Sequence, residues 1–268
     1  MTRMTYSVQA LKMAEAEVPG PEVYWMSHWN EWVKLHFYMV VLRGNGITAI
    51  INTGPPSDIS QLNSAWSAFA GPRCQMIRSE QERPERALAA IGVNPADVDY
   101  VLLTPLQSYA TANIPMFAKA KICLSRRGWI DDVIARPNSS HGSRDFFIPD
   151  AVLKYLLFEA QHRVHLLEDE EEVCPGIRAW WAGVHHRSSM VYSVDTDAGV
   201  VMIGDCAMMY ENLVGPPLGI AESLLEAATA YQRIQRESSI FLPLYDPNVL
   251  VRYPNGIIAS TGGRNRLA

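Results

Sequence analysis

The feature that most constrains the fold is an alternation of short apolar runs with helical periodicity along the chain. The apolar, β-prone runs predict strands at residues 37–42, 47–51, 100–104, 121–125, 163–167, 177–181, 189–194, 199–203 and 240–243. Helices are predicted over residues 80–91, 127–135, 151–161 and 222–237. No internal repeat or low-complexity linker interrupts this pattern. We therefore expect residues 1–268 to form a single layered α/β domain.

Composition and charge exclude several classes of protein. The chain has 268 residues, of which 48% are hydrophobic and 19% charged, enough for a sizeable core. Its net charge is −5 and no basic stripe occurs, so nucleic acid is not an expected partner. No apolar stretch reaches the about 18 residues needed to span a membrane, and the N-terminus lacks a secretory pattern. The expected location is the cytoplasm.

The cysteines and the acidic run carry no recognisable site. Cys74, Cys123, Cys174 and Cys206 are widely spaced and form no CxxC pair, so a structural zinc site is not expected. Scattered thiols of this kind suit a reducing compartment. The acidic run at residues 168–172 is interpreted as a solvated turn between elements.

The loop after the predicted strand at 100–104 carries the first recognisable motif. Thr104 begins the segment TPLQSYATAN, which ends at Asn113. This segment resembles the metallo-β-lactamase signature T-H-x-H-x-D-H-x-x-N, in which the first two histidines bind one metal ion and the remaining pair binds a second. The ligand positions of that signature are occupied here by Pro105, Gln107, Tyr109 and Ala110. The first and last residues of the signature are therefore present, but its four metal-ligand positions hold other residues.

Further segments in the same order extend the resemblance to residue 256. Residues 52–54 (NTG) are similar to the family's Asp-Thr-Gly turn, and residues 181–190 place its next histidine ligand on His185. The strand at 201–205 ends on Asp205, which matches the aspartate that bridges both metals. Residues 210–213 and 242–254 resemble the acyl-homoserine lactonase branch, with Tyr245 at the last histidine ligand. The resemblance implies a four-layer αββα sandwich and, by analogy with this branch, a homodimer.

The resemblance also leads to a prediction about metal binding, because it shows which of the family's metal ligands are present in this chain. Only His185 and Asp205 remain of the family's ligands, whereas catalytic zinc takes about three ligands from the protein. A neutral phenol or carboxamide is a poor zinc ligand. We therefore predict that the dinuclear site does not form and that no cofactor is used. An alternative is that His185, Asp205 and one of His186 or His28 hold a single ion.

A metal-free mechanism follows from the residues that remain. An imidazole held by a carboxylate is a general base, and phenols or a carboxamide can donate hydrogen bonds to an oxyanion. In this hypothesis Asp205 orients His185, which moves the proton. The substrate carbonyl or enolate is then held by Tyr109, Tyr245 and Gln107, and further substrate contacts are predicted for Tyr210, His186 and Ser188. The predicted function is a metal-independent enzyme acting on a small lactone, ester, cyclic amide or enolisable ketone.

Other functions remain open on the sequence alone. The pocket could be inert, with Tyr109 and Tyr245 filling the space that the metals occupy in the family. The chain could also be a non-catalytic homologue that binds a small molecule or partners an active paralogue. A binder predicts thermal stabilisation by a ligand without product, whereas an enzyme predicts turnover that depends on His185.

Overall fold

The computed structural model describes residues 4–134 and 146–261, and two β-sheets form its centre. The strands of the described chain are β1 (Ser7–Pro19), β2 (Trp32–Gly44), β3 (Ile47–Ile51), β4 (Tyr100–Leu102), β5 (Lys121–Ser125), β6 (Val164–Leu167), β7 (Glu170–Cys174), β8 (Ile177–Trp181), β9 (Met190–Thr196), β10 (Gly199–Gly204), β11 (Ile240–Pro243) and β12 (Ile257–Ala259). The α-helices are α1 (Gly20–Val23), α2 (Ser60–Ala70), α3 (Pro84–Ala90), α4 (Ser108–Thr111), α5 (Arg126–Gly128), α6 (Asp150–Lys154), α7 (Ala227–Glu237) and α8 (Asn248–Arg252).

The two sheets are both mixed. The larger sheet has the order β12-β1-β2-β3-β4-β5-β6, with antiparallel pairing from β12 to β3 and parallel pairing from β3 to β6. The smaller sheet has the order β11-β10-β9-β8-β7, in which only β10 and β11 pair in parallel. The carboxyl ends of β4, β10 and β11 carry the loops that build the site described below.

Two apolar clusters hold these layers together. One contains side chains from both sheets, such as Val40 of β2 and Tyr192 of β9, and forms the core between them. The second lies on the other face of the larger sheet, where Ile50 and Val101 pack against Leu88 of α3. Because each sheet buries one face against the other and helices cover the outer faces, the predicted four-layer αββα arrangement is confirmed.

Most of the predicted elements are present, but seven of the labelled elements were not predicted. These are the strands β1, β7 and β12 and the helices α1, α2, α4 and α8. The interpretation of residues 168–172 as a solvated turn is wrong from Glu170 onwards, because these residues form β7 and pair with β8. Charged side chains suit an exposed sheet edge, and Glu170 forms an ion pair with Arg233 at 2.6 Å.

Within the predicted 222–237 segment, a 3-10 turn at Leu224–Glu226 precedes α7. The predicted helix at 127–135 is described up to Ile134, and its last residue lies outside the described ranges. No helix within residues 4–134 and 146–261 has the length and apolar character needed to cross a membrane.

Candidate active site

The loops that follow β4, β8, β10 and β11 meet at one edge of the two sheets. Residues 103–107 leave β4, residues 182–189 connect β8 to β9, Asp205 follows β10, and Tyr245 follows β11. The predicted site residues therefore come from four separate strand ends. The fold brings most of them together around one buried carboxylate.

Asp205 is the centre of this arrangement and is completely buried. Its Oδ2 atom lies 2.6 Å from the Ser189 hydroxyl, which donates to it, and 3.0 Å from Nδ1 of His185. The Thr104 hydroxyl donates to Oδ1. A buried carboxylate requires such donors, because water no longer solvates its charge. Three protein groups therefore surround the Asp205 carboxylate.

His185 is held in one orientation by this carboxylate. Since a carboxylate accepts hydrogen bonds, the contact with Asp205 places the imidazole proton on Nδ1. The Nε2 atom has no hydrogen-bond partner in the described chain, and the residue lines a cavity. The geometry therefore presents an imidazole lone pair to whatever occupies that cavity.

The backbone that carries His185 is itself unusual. Gly183 and Val184 both have positive φ, of 60° and 65°, and this conformation is strained for a β-branched residue. The Val184 N–H donates to Oε2 of Glu226 at 2.8 Å, and Arg187 forms an ion pair with the same carboxylate. A Cβ at Gly183 would lie 2.0 Å from that oxygen. Glu226 thus stabilises the turn that places the His185 side chain at the site.

The residues that frame the β4 loop keep structural roles. The Asn52 side chain donates to the Thr104 carbonyl at 2.7 Å and accepts from its N–H at 2.9 Å. The Asn113 amide contacts the carbonyls of Thr53, Gly54 and Pro55 within 3.0 Å. Both asparagines satisfy buried backbone groups that would otherwise lack partners. The loop is therefore shaped by hydrogen bonds within the chain.

Tyr109 and Tyr245 stand close to each other beside His185. Their hydroxyl oxygens are 3.5 Å apart, and the Tyr245 ring meets the His185 ring edge to face at a centroid distance of 6.1 Å. Both tyrosines pack against Phe37, at 5.2 and 5.4 Å, and Trp66 completes an aromatic cluster of four rings. Burial raises the pKa of both phenols, so both remain hydrogen-bond donors over the physiological range.

A cavity of about 390 Å³ opens between these groups. Five of the residues proposed from sequence for the site line it, namely His185, His186, Gln107, Tyr109 and Tyr245. Most of the remaining lining is apolar and comes from Val18, Leu35, Phe37, Trp66, Phe69, Phe146, Phe147, Met208, Ile220 and similar side chains. A concave, mainly apolar cavity with a few convergent polar groups is typical of a small-molecule site.

Two predicted substrate contacts lie elsewhere. Ser188 is fully buried behind the site, where its hydroxyl accepts the Leu106 N–H at 3.0 Å, and it does not line the cavity. Tyr210 also lies outside the lining, and its ring packs beneath the Arg252 guanidinium at 3.7 Å. Neither side chain is placed to contact a ligand in this cavity, so the interpretation of both as substrate-binding residues is revised.

Comparisons with solved structures reveal the same architecture in enzymes. An N-acyl homoserine lactone hydrolase, with its product N-hexanoyl-L-homoserine at the catalytic metal centre, aligns with a TM-score of 0.73 over 94% of this chain and 97% of that one, at 14% identity. A hydrolase of the β-lactamase superfamily aligns with a TM-score of 0.63 over 96% and 93%, at 13% identity. A Thermotoga maritima protein assigned to the metallo-β-lactamases gives 0.53 over 87% and 93%, at 18% identity.

The chain has the metallo-β-lactamase fold. No protein-family model matches the sequence. Comparison with curated protein sequences finds no significant match either. At 13–18% identity the solved structures establish the fold alone.

The metallo-β-lactamase fold implies metal ions, and the donor chemistry here does not fit two of them. Pro105 and Ala110 offer no side-chain donor atom, and the raised pKa of Tyr109 keeps its phenol neutral. Asp205 is already surrounded by protein donors. In residues 4–134 and 146–261 no group of three or more His, Cys, Asp or Glu side chains is arranged to hold a metal ion.

The single-ion alternative also lacks a third ligand near Asp205. The His28 ring stacks on Tyr24 at 4.2 Å and its Nδ1 contacts the Ser27 hydroxyl, and His28 does not line the cavity. The Nδ1 atom of His186 lies 3.3 Å from a carboxylate oxygen of Glu222. We therefore derive no chemical step through a metal ion.

Sequence reasoning missed the rest of the cavity lining, and three of these residues bear on its chemistry. Glu22 of α1 and Glu222 contribute carboxylates to the lining, and Met208 contributes a thioether. Met208 follows Asp205 within the recognised strand end and could have been found from that motif. Glu22 lies in the N-terminal segment, which contains no recognisable motif, so only the folded chain reveals its position.

Proposed function

We propose that this chain hydrolyses small esters or lactones by acid–base chemistry that involves His185 and Asp205 and no metal ion. The observation that carries this proposal is the orientation of His185. Its Nδ1 atom is held by a buried carboxylate, and its Nε2 atom has no hydrogen-bond partner among the described residues, in the wall of a mainly apolar cavity. An imidazole in this arrangement is poised to accept and return a proton.

The proposed reaction begins with a water molecule between His185 and the substrate carbonyl. Nε2 accepts a proton from this water while its oxygen bonds to the carbonyl carbon, which gives a tetrahedral oxyanion and an imidazolium. The Asp205 carboxylate stabilises the imidazolium through Nδ1. The C–O bond to the leaving group then breaks, and the imidazolium returns the proton to the departing alkoxide. The products are a carboxylic acid and an alcohol, joined in one molecule when the substrate is a lactone.

The two neighbouring phenols are proposed to hold the oxyanion. Tyr109 and Tyr245 remain protonated because burial raises the pKa of each, and both residues line the cavity. Neutral donors that are fixed before the reaction stabilise a developing negative charge without rearrangement. Gln107 lines the same wall and offers a carboxamide as a third donor.

We expect Tyr109→Phe to lower kcat about 30-fold or more, because one oxyanion donor is removed while the ring stays in the aromatic cluster. Removal of a single such donor typically costs about 10²- to 10³-fold in kcat, and Tyr245 offsets part of that loss. KM and the melting temperature should change little. Tyr100→Phe is the matched control, since Tyr100 lies in β4 and away from the cavity. Equal kcat values for Tyr109→Phe and the wild type would contradict this role.

Metal removal tests the proposal most directly. We expect protein purified through chelator to hydrolyse 4-nitrophenyl butyrate or an acyl lactone as fast as untreated protein, with less than about a tenth of an equivalent of metal by elemental analysis. The N-hexanoyl product bound in the similar lactone hydrolase motivates medium-chain acyl groups as first probes. If activity disappears with chelator and returns with zinc or manganese, the chain is a metallohydrolase and the proposal fails.

The apolar lining of the cavity also supports a second candidate, a protein that binds a small molecule without turnover. The aromatic cluster can enclose such a ligand without chemistry. In that case short-chain esters or lactones raise the melting temperature roughly with the logarithm of ligand concentration, and no acid is released. Measuring acid release and thermal shift on the same samples separates the two functions.

A further inference from the structure

The ionisable side chains of the cavity have an uneven balance of charge. Those that line it, besides the tyrosines and a buried cysteine, are Glu22, Glu222, His185 and His186, and no lysine or arginine of the described chain joins them. Burial lowers the pKa of His186 to about 4, so this imidazole is neutral near pH 7. Two carboxylates thus face the cavity, and the described residues place no lysine or arginine in its lining. Such a site attracts cations and repels anions.

Glu22 is held at this wall by two backbone hydrogen bonds between α1 and residues 219–220. Its carbonyl accepts the Ile220 N–H at 2.7 Å, and the Val23 carbonyl accepts the Gly219 N–H at 3.2 Å. A Cβ at Gly219 would lie 1.7 Å from the Pro21 carbonyl oxygen, so only glycine permits this close approach. The segment that carries Glu22 is therefore tied to the opposite loop of the cavity.

The Glu22 carboxylate lacks a protein partner. No hydrogen bond or ion pair joins it to another side chain of the described ranges, in contrast to Glu222, which accepts the Arg187 N–H and contacts His186. Burial raises the pKa of Glu22, while the nearby His185 acts in the opposite direction. An ionised carboxylate in an apolar wall is stabilised when a positive group binds beside it.

Aromatic rings supply the second element of a cation site. Phe37, Trp66, Phe69, Tyr109 and Phe146 line the same cavity. The negative face of an aromatic ring attracts ammonium groups, and this attraction grows when water is excluded. Together with Glu22, these rings match the chemistry that recognises a substituted ammonium ion.

We infer that the preferred substrate carries a positively charged ammonium group, which binds between Glu22 and the aromatic rings while the ester or lactone carbonyl faces His185. The part of this inference that concerns hydrolysis at His185 rests on the proposed function. It makes the cavity selective for cationic esters over neutral esters of the same shape and excludes substrates that carry a carboxylate or phosphate.

The test uses a pair of esters that differ only in charge. Butyrylcholine and 3,3-dimethylbutyl butyrate have the same shape, but a carbon atom replaces the quaternary nitrogen in the second. We expect kcat/KM to be at least about 10-fold higher for butyrylcholine, and Glu22→Gln to bring this ratio close to one. Glu85→Gln, which changes an exposed glutamate of α3, should retain the wild-type ratio. Equal kcat/KM values for the two esters, or an unchanged ratio in Glu22→Gln, overturn the inference.

Binding of the two alcohols separates this inference from the proposed hydrolysis. Calorimetry with choline and 3,3-dimethylbutanol needs no turnover, and we expect only choline to bind measurably and to bind more weakly to Glu22→Gln. If choline binds in this way but neither ester is hydrolysed, the cation site stands and the proposed function fails. If neutral esters are hydrolysed while choline does not bind, the function stands and the cation site is overturned.

Discussion

His185→Ala should lower kcat/KM for ester or lactone hydrolysis about 10³-fold. General acid–base groups typically contribute about 10²- to 10⁴-fold. The Nε2 atom of His185 has no hydrogen-bond partner among the described residues, and its ring is held by the fully buried Asp205 carboxylate at the cavity wall. The measurement is initial hydrolysis rates over a range of substrate concentrations, with added imidazole as a chemical rescue that should restore part of kcat.

The matched control for this change is His162→Ala, because His162 is exposed and far from the cavity lining. It should retain wild-type rates. The fold of His185→Ala should persist, since Asp205 still accepts hydrogen bonds from Ser189 and Thr104. A folded His185→Ala protein with wild-type kcat/KM would eliminate the proposed mechanism.

Asp205→Asn should produce the second large effect, a fall in kcat of about 10²- to 10⁴-fold together with a loss of stability. An amide has the same shape but no charge, so it neither stabilises the imidazolium nor fixes the proton of His185 on Nδ1. The hydroxyls of Thr104 and Ser189 also lose a charged acceptor in a fully buried position. Hydrogen bonds to charged groups contribute about 1.5–3 kcal/mol each, so we expect the free energy of unfolding to fall by about 2–4 kcal/mol.

Two measurements separate these consequences. Urea unfolding gives the change in stability, and kcat at saturating substrate gives the change in chemistry on molecules that remain folded. Asp97→Asn, at an exposed position paired with Lys119, should alter neither quantity measurably. A variant at Asp205 that loses stability but keeps kcat would assign this carboxylate a purely structural role.

The proximity of His185, Asp205 and the two tyrosines could be predicted from sequence because each lies at a fixed offset in a recognisable strand end. The positions of Asp205, His185 and Tyr245 follow from the motifs that surround them, and the structure brings all three together. Adjacency in sequence was a poorer guide. Ser188 and Tyr210 lie close to site residues along the chain. However, the Ser188 hydroxyl accepts the Leu106 N–H and the Tyr210 ring packs against Arg252, so neither side chain lines the cavity.

The N-terminal part of the cavity could not be predicted for a different reason. The strand β1 contains helix-favouring residues such as those of Met13–Glu17, and its extended form depends on pairing with β2 along most of its length. The position of Glu22 depends in turn on contacts with residues 219–220, nearly two hundred positions away. Local patterns carry no information on such contacts.

The hydrogen bonds around Asp205 also determine how far this scaffold could be re-engineered into a metalloenzyme. Restoring the family's side chains at positions 105, 107, 109 and 110 would leave Asp205 turned toward Ser189, Thr104 and His185. An incoming ion would have to displace these donors, and each buried donor left without a partner costs about 1–3 kcal/mol. A successful graft therefore has to redesign the neighbours of Asp205 as well as the ligand positions.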